Sequence, residues 1–370
     1  MPSVADADAR AQTAESSVTS RHLRPVPWWP AGRLGAITWP TPARHRWFLD
    51  LNYWWQAHLM DCLLDAEKRR PAPRRRRVLS CFPRALWAAN RATVVNEYFD
   101  DMAWLALALG RARVELGGGH PRWERRLIGI LHDRWHDDDG GGGIPWRRGD
   151  VFRNVPANGA AALALARAGL TERAAATVDW IYCHLHDPGT GLILEGRRPD
   201  GRDERIFSYN QGLVIGALLE LVDIDDNRRR LHALVAAVDR HLAGAGVLRG
   251  CGGGDGGLFA AITARYLAEV ARRLGGRSEA DRATAATAAR IVLASAEAAW
   301  VNRVEREGAV WFGPDWRSAA VVPGADGRAS SSGMQSSSPP ERDLSVQLGG
   351  WMVLELAAQL LRAGPASGSR

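Results

Sequence analysis

From residue 43 onward, apolar positions recur at three- and four-residue spacing, the period of one helix face. This spacing predicts helices over 44–67, 98–116, 120–137, 155–168, 171–186, 208–223, 228–242, 257–274, 279–304 and 342–363. Strand-like alternation is scarce, so the expected fold class is all-α. Candidate helices begin near 44, 98, 155, 208, 257 and 342, and most are followed by a more charged partner, about one helical hairpin per 50 residues. Six such hairpins closed in a ring would make an (α/α)6 toroid or barrel. An open solenoid would carry a tighter repeat and polar capping repeats, and neither is visible. Residues 1–25 are polar and expected to be a disordered tail. Residues 26–365 are expected to form a single domain, with 321–342 as a low-complexity loop.

In such a toroid the first helices of the hairpins run parallel and open their N-termini on one face. The unusual polar and Gly-rich stretches mostly stand at those N-termini: "EYFDD" (97–101), "DVFRNVPANG" (150–159), "IFSYNQG" (206–212), "CGGGDGGLF" (251–259) and "ERDLSVQ" (341–347). Far apart in sequence, they would gather at one mouth.

Composition narrows the classes. The 370 residues are 46% hydrophobic, enough for a sizeable core, and the formal net charge is +7. Lys68 is the one lysine. Arginine dominance with abundant Ala and Gly matches a GC-rich coding bias, so the charge is weak grounds for a nucleic-acid partner. The run "RRPAPRRRR" (69–77) is read as a Pro-broken solvated loop in preference to a phosphate stripe. Four scattered cysteines (Cys62, Cys81, Cys183, Cys251) fit neither a zinc ribbon nor a disulfide framework. No apolar leader or run of eighteen apolar residues stands out, so the expected location is cytoplasmic, with no membrane span.

Asp100 and Asp101 sit side by side at the head of an apolar run, "NEYFDDMAWLALAL" (96–109). Retaining glycosidases use two carboxyls about 5–5.5 Å apart, inverting ones about 6.5–9.5 Å, and neighbouring residues suit the shorter separation. Two acids in a first turn also simply complement the helix dipole, and spacing alone favours that reading. "YNQG" (209–212) offers amides and a phenol to sugar hydroxyls, or just a helix start capped by Ser208 or Asn210. "DDDGGGGIPWRRGD" (137–150) places Trp146 against a sugar face or is a plain connector. His132 and His136 lie one turn apart, but a solvated helix end is favoured over a metal pair. Among sixteen tryptophans, Trp54 or Trp55 is the candidate for a cavity wall, since indoles stack on sugar rings.

As a set these motifs are stronger. "YWWQAHLMDCLLDA", "NEYFDDMAWLALAL", "GGGIPWRRGDVFRNVPANG", "YNQGLVIGALLEL" and "GGLFAAITARYLAEV" occur in an order that resembles glycoside hydrolase family 76, the endo-α-1,6-mannanases and their relatives, over roughly residues 46–361. The resemblance implies an (α/α)6 catalytic domain and a retaining hydrolase of α-1,6-linked mannan. Asp100 would be the nucleophile and Asp101 the general acid/base. Trp54, Trp104, Trp146, Asn154, Asn158, Tyr209, Asn210 and Gln211 would line the substrate groove. The expected partner is α-mannan or a manno-oligosaccharide bound by a monomer, without nucleic acid, cofactor or metal. Two features depart from the family pattern: no Cys precedes the glycines of the loop, and "NVPANGAAA" lacks an acidic residue after its second Asn. The alternatives are a transglycosylase on the same linkage and a non-catalytic glycan-binding or nucleic-acid-binding protein. A sugar epimerase is disfavoured, because no His lies in the helix-head motifs.

Overall fold

The computed structural model describes residues 2–135, 142–274, 276, 278–324, 327–330 and 333–364. In chain order the helices are α1 (Val4–His22), α2 (Ala43–Arg46), α3 (Tyr53–Arg69), α4 (Pro73–Ala89), α5 (Phe99–Leu116), α6 (Pro121–Asp133), α7 (Val155–Arg167), α8 (Thr171–Leu185), α9 (Ser208–Glu220), α10 (Asn227–Leu242), α11 (Phe259–Arg273), α12 (Glu279–Val301) and α13 (Leu344–Ala363). Short strands β1 (Leu23–Val26) and β2 (Trp29–Gly35) pair antiparallel. So do β3 (Arg153–Asn154), β4 (Gly196–Arg198) and β5 (Gly201–Asp203), in that order.

By its internal contacts the chain falls into two compact units. One comprises Met1–Thr93, Ala245–Arg265 and Arg290–Arg370; the other comprises Val94–Gly244 and Tyr266–Ala289.

In the second unit, α5/α6, α7/α8 and α9/α10 are three successive hairpins. α5 packs on α7 and α7 on α9, and each second helix packs on its own first helix. Burial shows why. Every residue of α9 except Glu220 is buried, and α7 is buried from Val155 to Leu165. In α6 only Leu127, Ile128 and Leu131 are buried. A helix apolar all round belongs inside, and a one-sided helix belongs on the rim.

In the first unit, α13 packs against α1 and α3. α13 is long and apolar enough to cross a membrane, but 89% of its apolar window is buried in the protein, the pattern of a core helix.

The expected disordered tail is corrected by α1. Ser3 and Asp6 form a capping box: Asp6 N donates to Ser3 Oγ at 3.1 Å, and Ser3 N donates to Asp6 Oδ2 at 3.2 Å. Ala7, Ala11, Ala14 and Val18 recur at helical spacing and are buried. Alanines carry little hydropathy, so the stripe is faint in the sequence, yet their small size admits close packing on α13. The expected loop at 69–77 is corrected as well. α4 starts at Pro73, whose fixed φ and missing N–H suit a first helical position. Arg75 is buried and donates to Glu15 Oε1 (2.5 and 2.8 Å) and to Glu67 Oε2 (3.1 Å). The helix predicted over 44–67 is also broken, by the segment between α2 and α3, where Asn52 takes a left-handed φ of 41°.

Candidate active site

The second unit brings together most of the chemistry-bearing head motifs. Asp100 and Asp101 lie in the first turn of α5, both half-buried. Asp101 Oδ2 accepts a short hydrogen bond, 2.6 Å, from Asn96 Nδ2. Asn96 Oδ1 in turn accepts from Tyr98 N at 3.0 Å, which holds the segment leading into the helix. Asp100 Oδ1 accepts from Asp101 N (3.0 Å) and Asp100 Oδ2 from the Trp146 indole N–H (3.2 Å). Each carboxylate is thus oriented by a named side chain.

Trp146 is fixed by a small backbone ladder. Its N–H donates to Phe152 O (2.7 Å), its carbonyl accepts from Phe99 N (2.9 Å), and Arg148 N donates to Glu97 O (2.9 Å). Its ring stands tilted against Tyr98 at 5.2 Å and edge-on to Phe152 at 6.4 Å. Upstream of Trp146, Gly143 has a φ of 96°, and a Cβ there would lie 2.8 Å from the Trp180 ring, so glycine is required on both counts.

The same unit holds a third notable carboxyl. Glu195 precedes β4; its N–H donates to Arg205 O (2.8 Å) and its carbonyl accepts from Val155 N (2.9 Å). It is 6% exposed, and its Oε2 accepts from Asn210 Nδ2 at 2.7 Å. Burial pushes its pKa up to about 7; the Asn210 bond opposes this, while the negative charge of Asp100 adds to it. No motif marks Glu195 in "LILEGRR", and sequence reasoning missed it.

The family model for glycosyl hydrolase family 76 matches residues 17–337. The chain belongs to glycosyl hydrolase family 76. It is therefore a glycoside hydrolase. Among curated protein sequences none matches it. Among solved structures, family 76 enzymes share its fold. The GH76A α-1,6-mannanase of Salegentibacter sp. HEL1_6 superposes with a TM-score of 0.78 at 24% identity, covering 96% of this chain and 99% of that one. An inactive variant of that enzyme, with two consecutive aspartates replaced by asparagine, is solved in complex with α-1,6-mannotriose (TM-score 0.78, 23% identity, 96% and 99% covered). The Lin0763 protein of Listeria innocua matches with a TM-score of 0.78 at 24% identity, covering 96% and 97%. The likeness gives this family 76 chain the α/α toroid fold expected from its sequence.

The groove candidates of this family 76 chain separate by what their side chains do. Asn210 and Tyr209 stand in the first turn of α9, Asn210 fully buried and Tyr209 nearly so. Asn154 is the N-cap of α7, its Oδ1 accepting from Ala157 N at 3.3 Å. Asn158 and Gln211 depart from the expectation of a groove lining. Both are fully buried, and their amides serve the backbone. Asn158 Oδ1 accepts from Ile144 N (2.7 Å), and its Nδ2 donates to Ile144 O and Asn154 O (both 2.8 Å). Gln211 Oε1 accepts from Ile193 N (2.8 Å), and its Nε2 donates to Ile193 O (2.8 Å) and Phe207 O (3.0 Å). These amides hold the loops that carry Trp146 and Glu195. Trp104 is buried one turn beyond Asp100 on α5.

Trp54 belongs to the other unit. It is half-buried while Trp55 is buried, and both indoles donate to Asp255 Oδ1, at 3.2 and 3.0 Å. Burial pushes Asp255 up to about 6 against those two bonds, and Asp343 acts in the same direction as burial. Asp255 stands in the "CGGGDGGLF" stretch, but nothing in its spacing singled it out. His132 is half-buried beside Asp133, whereas His136 and the first part of the Gly-rich loop lie outside the described residues.

Proposed function

We propose that this glycoside hydrolase is a retaining endo-α-1,6-mannanase, with Asp100 as nucleophile and Asp101 as general acid/base. The observation that carries the reading is the Asp100–Asp101 pair at the head of α5, each carboxylate tied to a neighbouring side chain. Two consecutive aspartates are also what was replaced in the inactive mannotriose complex of the Salegentibacter enzyme.

The chemistry follows from the placement. Asp100, oriented by the Trp146 indole and the Asp101 N–H, attacks the anomeric carbon. Asp101 gives its proton to the departing glycosidic oxygen, and a mannosyl ester of Asp100 forms. Asp101, now a carboxylate, takes a proton from water as the water oxygen attacks the same carbon. The ester breaks and Asp100 is regenerated with the starting anomeric configuration.

The test is hydrolysis of linear α-1,6-mannan by wild type, Asp100→Asn and Asp101→Asn, with the first-formed anomer followed by NMR. The wild type should release the α-anomer first, and each substitution should lower turnover by about 10²–10⁴-fold or more. A β-anomer formed first rejects retention. Equal cleavage by all three proteins rejects the assignment of the pair.

A further inference from the structure

We propose that Glu195 is a positioning residue for substrate recognition: it locks the Asn210 amide in one orientation, so that Asn210 Oδ1 accepts a hydrogen bond from a hydroxyl of the bound sugar. The proposal rests on the mannanase reading above.

Asn210 is fully buried, and Nδ2 lies 2.7 Å from Glu195 Oε2. Only the NH2 end of the amide can donate to that oxygen when the carboxyl is ionised, so the pair settles which way the amide faces. The Glu195 backbone is held at both ends, between Arg205 and Val155. Asn210 Oδ1 is consequently aimed away from Glu195. It is buried and accepts no hydrogen bond among the described residues. Ser208 Oγ, two residues earlier in the same first turn, is likewise buried without a partner.

A buried acceptor left unmade costs about 1–3 kcal/mol. The neighbouring residue supplies the contrast: the Gln211 amide makes three backbone hydrogen bonds at the same helix start. A structural amide in this setting is fully engaged, and Asn210 is not. Glu195 O accepts from Val155 N, three residues beyond Phe152, whose carbonyl holds the backbone of Trp146; the Trp146 indole donates to Asp100, so hydrogen-bonded segments tie the Glu195–Asn210 pair to the reacting carboxylates. The missing partner is a hydrogen-bond donor. In an α-1,6-linked chain each internal mannose offers hydroxyls at positions 2, 3 and 4.

The experiment compares kcat/KM for an α-1,6-manno-oligosaccharide and its 2-, 3- and 4-deoxy analogues in wild type, Glu195→Gln, Glu195→Ala and Asn210→Ala. In wild type one deoxy analogue should be penalised about tenfold or more relative to the parent. Glu195→Gln retains an acceptor for Asn210 Nδ2 and should keep that penalty. Glu195→Ala and Asn210→Ala should reduce it to about threefold or less for the same hydroxyl. If Glu195→Ala does not fold, Asn210→Ala and Glu195→Gln decide alone. A deoxy profile unchanged in the alanine variants, or no penalty for any analogue in wild type, overturns the proposal. Failure of wild type to cleave the parent oligosaccharide strikes the mannanase reading instead.

Discussion

A carboxyl buried as Glu195 is couples folding to pH. Its pKa rises from an ordinary 4.5 to about 7 in the folded chain. Below about pH 4 the group is protonated in both states and contributes no difference. As pH rises from there toward 7 the unfolded chain ionises first, the folded state binds more protons, and stability falls. Glu195→Gln removes that titration while keeping an acceptor for Asn210. At pH 8 the variant should therefore be more stable than wild type by about 1–3 kcal/mol, and the two should converge near pH 4. Urea unfolding at both pH values checks this. A constant difference across the range would show that Glu195 does not titrate as its burial demands. Glu355 and Asp255 are raised in the same sense, to about 7 and 6, and are common to both proteins, so the difference isolates Glu195. Among site residues, legibility followed locality. Asp100 and Asp101 announce themselves as adjacent acids before an apolar run. Glu195 becomes special only through Asn210, fifteen positions away. The family resemblance implies Asn158 and Gln211 as groove residues, and nothing local in the sequence shows that their amides serve Ile144 and Ile193.

For the elements, apolar periodicity was sufficient where large side chains carried it. α5, α9 and α13 stand close to where their leucine and valine spacing put them. α1 and α4 were hidden for different reasons. The buried stripe of α1 is mostly alanine, and Arg75 of α4 is neutralised by Glu15 and Glu67, which local reading cannot pair with it. The contributions to α1 should separate by mutation. Ser3→Ala removes an exposed cap, and should cost about 0.5–1 kcal/mol. Ala11→Leu forces three extra carbons into a fully buried position, and should cost about 1–3 kcal/mol. Both should shift the urea midpoint with little change in slope. If Ala11→Leu were neutral, α1 would not be docked as its burial shows.

At the scale of the molecule, a formal charge of +7 invites a polyanionic partner, but the disposition of the arginines argues otherwise. Arg69 and Arg75 are engaged by Glu15, Glu355 and Glu67. In the other unit, Arg167 and Arg273 share Glu220 and Glu269, and Arg228 meets Asp223 and Asp281. Glu220 is held down at about 2 by such partners despite its burial. Arginines bound into partly buried pairs are poorly placed to replace counterions on a phosphate backbone, and such pairs are screened only weakly by salt. The substrate proposed here is neutral, so no long-range attraction should assist its encounter. Two expectations follow for one titration between about 50 and 200 mM salt. The kcat/KM for linear α-1,6-mannan should change by less than about twofold, whereas a protein neutralising 6–10 phosphates would lose about 10³–10⁵ in affinity over the same range. Any binding to a labelled DNA duplex should be weak and identical in Asp100→Asn, because it would use surface charge and not the site. A steep fall of mannan hydrolysis with salt would instead point to a substrate bearing charge, and would overturn the neutral-mannan assignment while leaving the chemistry of the Asp100–Asp101 pair intact.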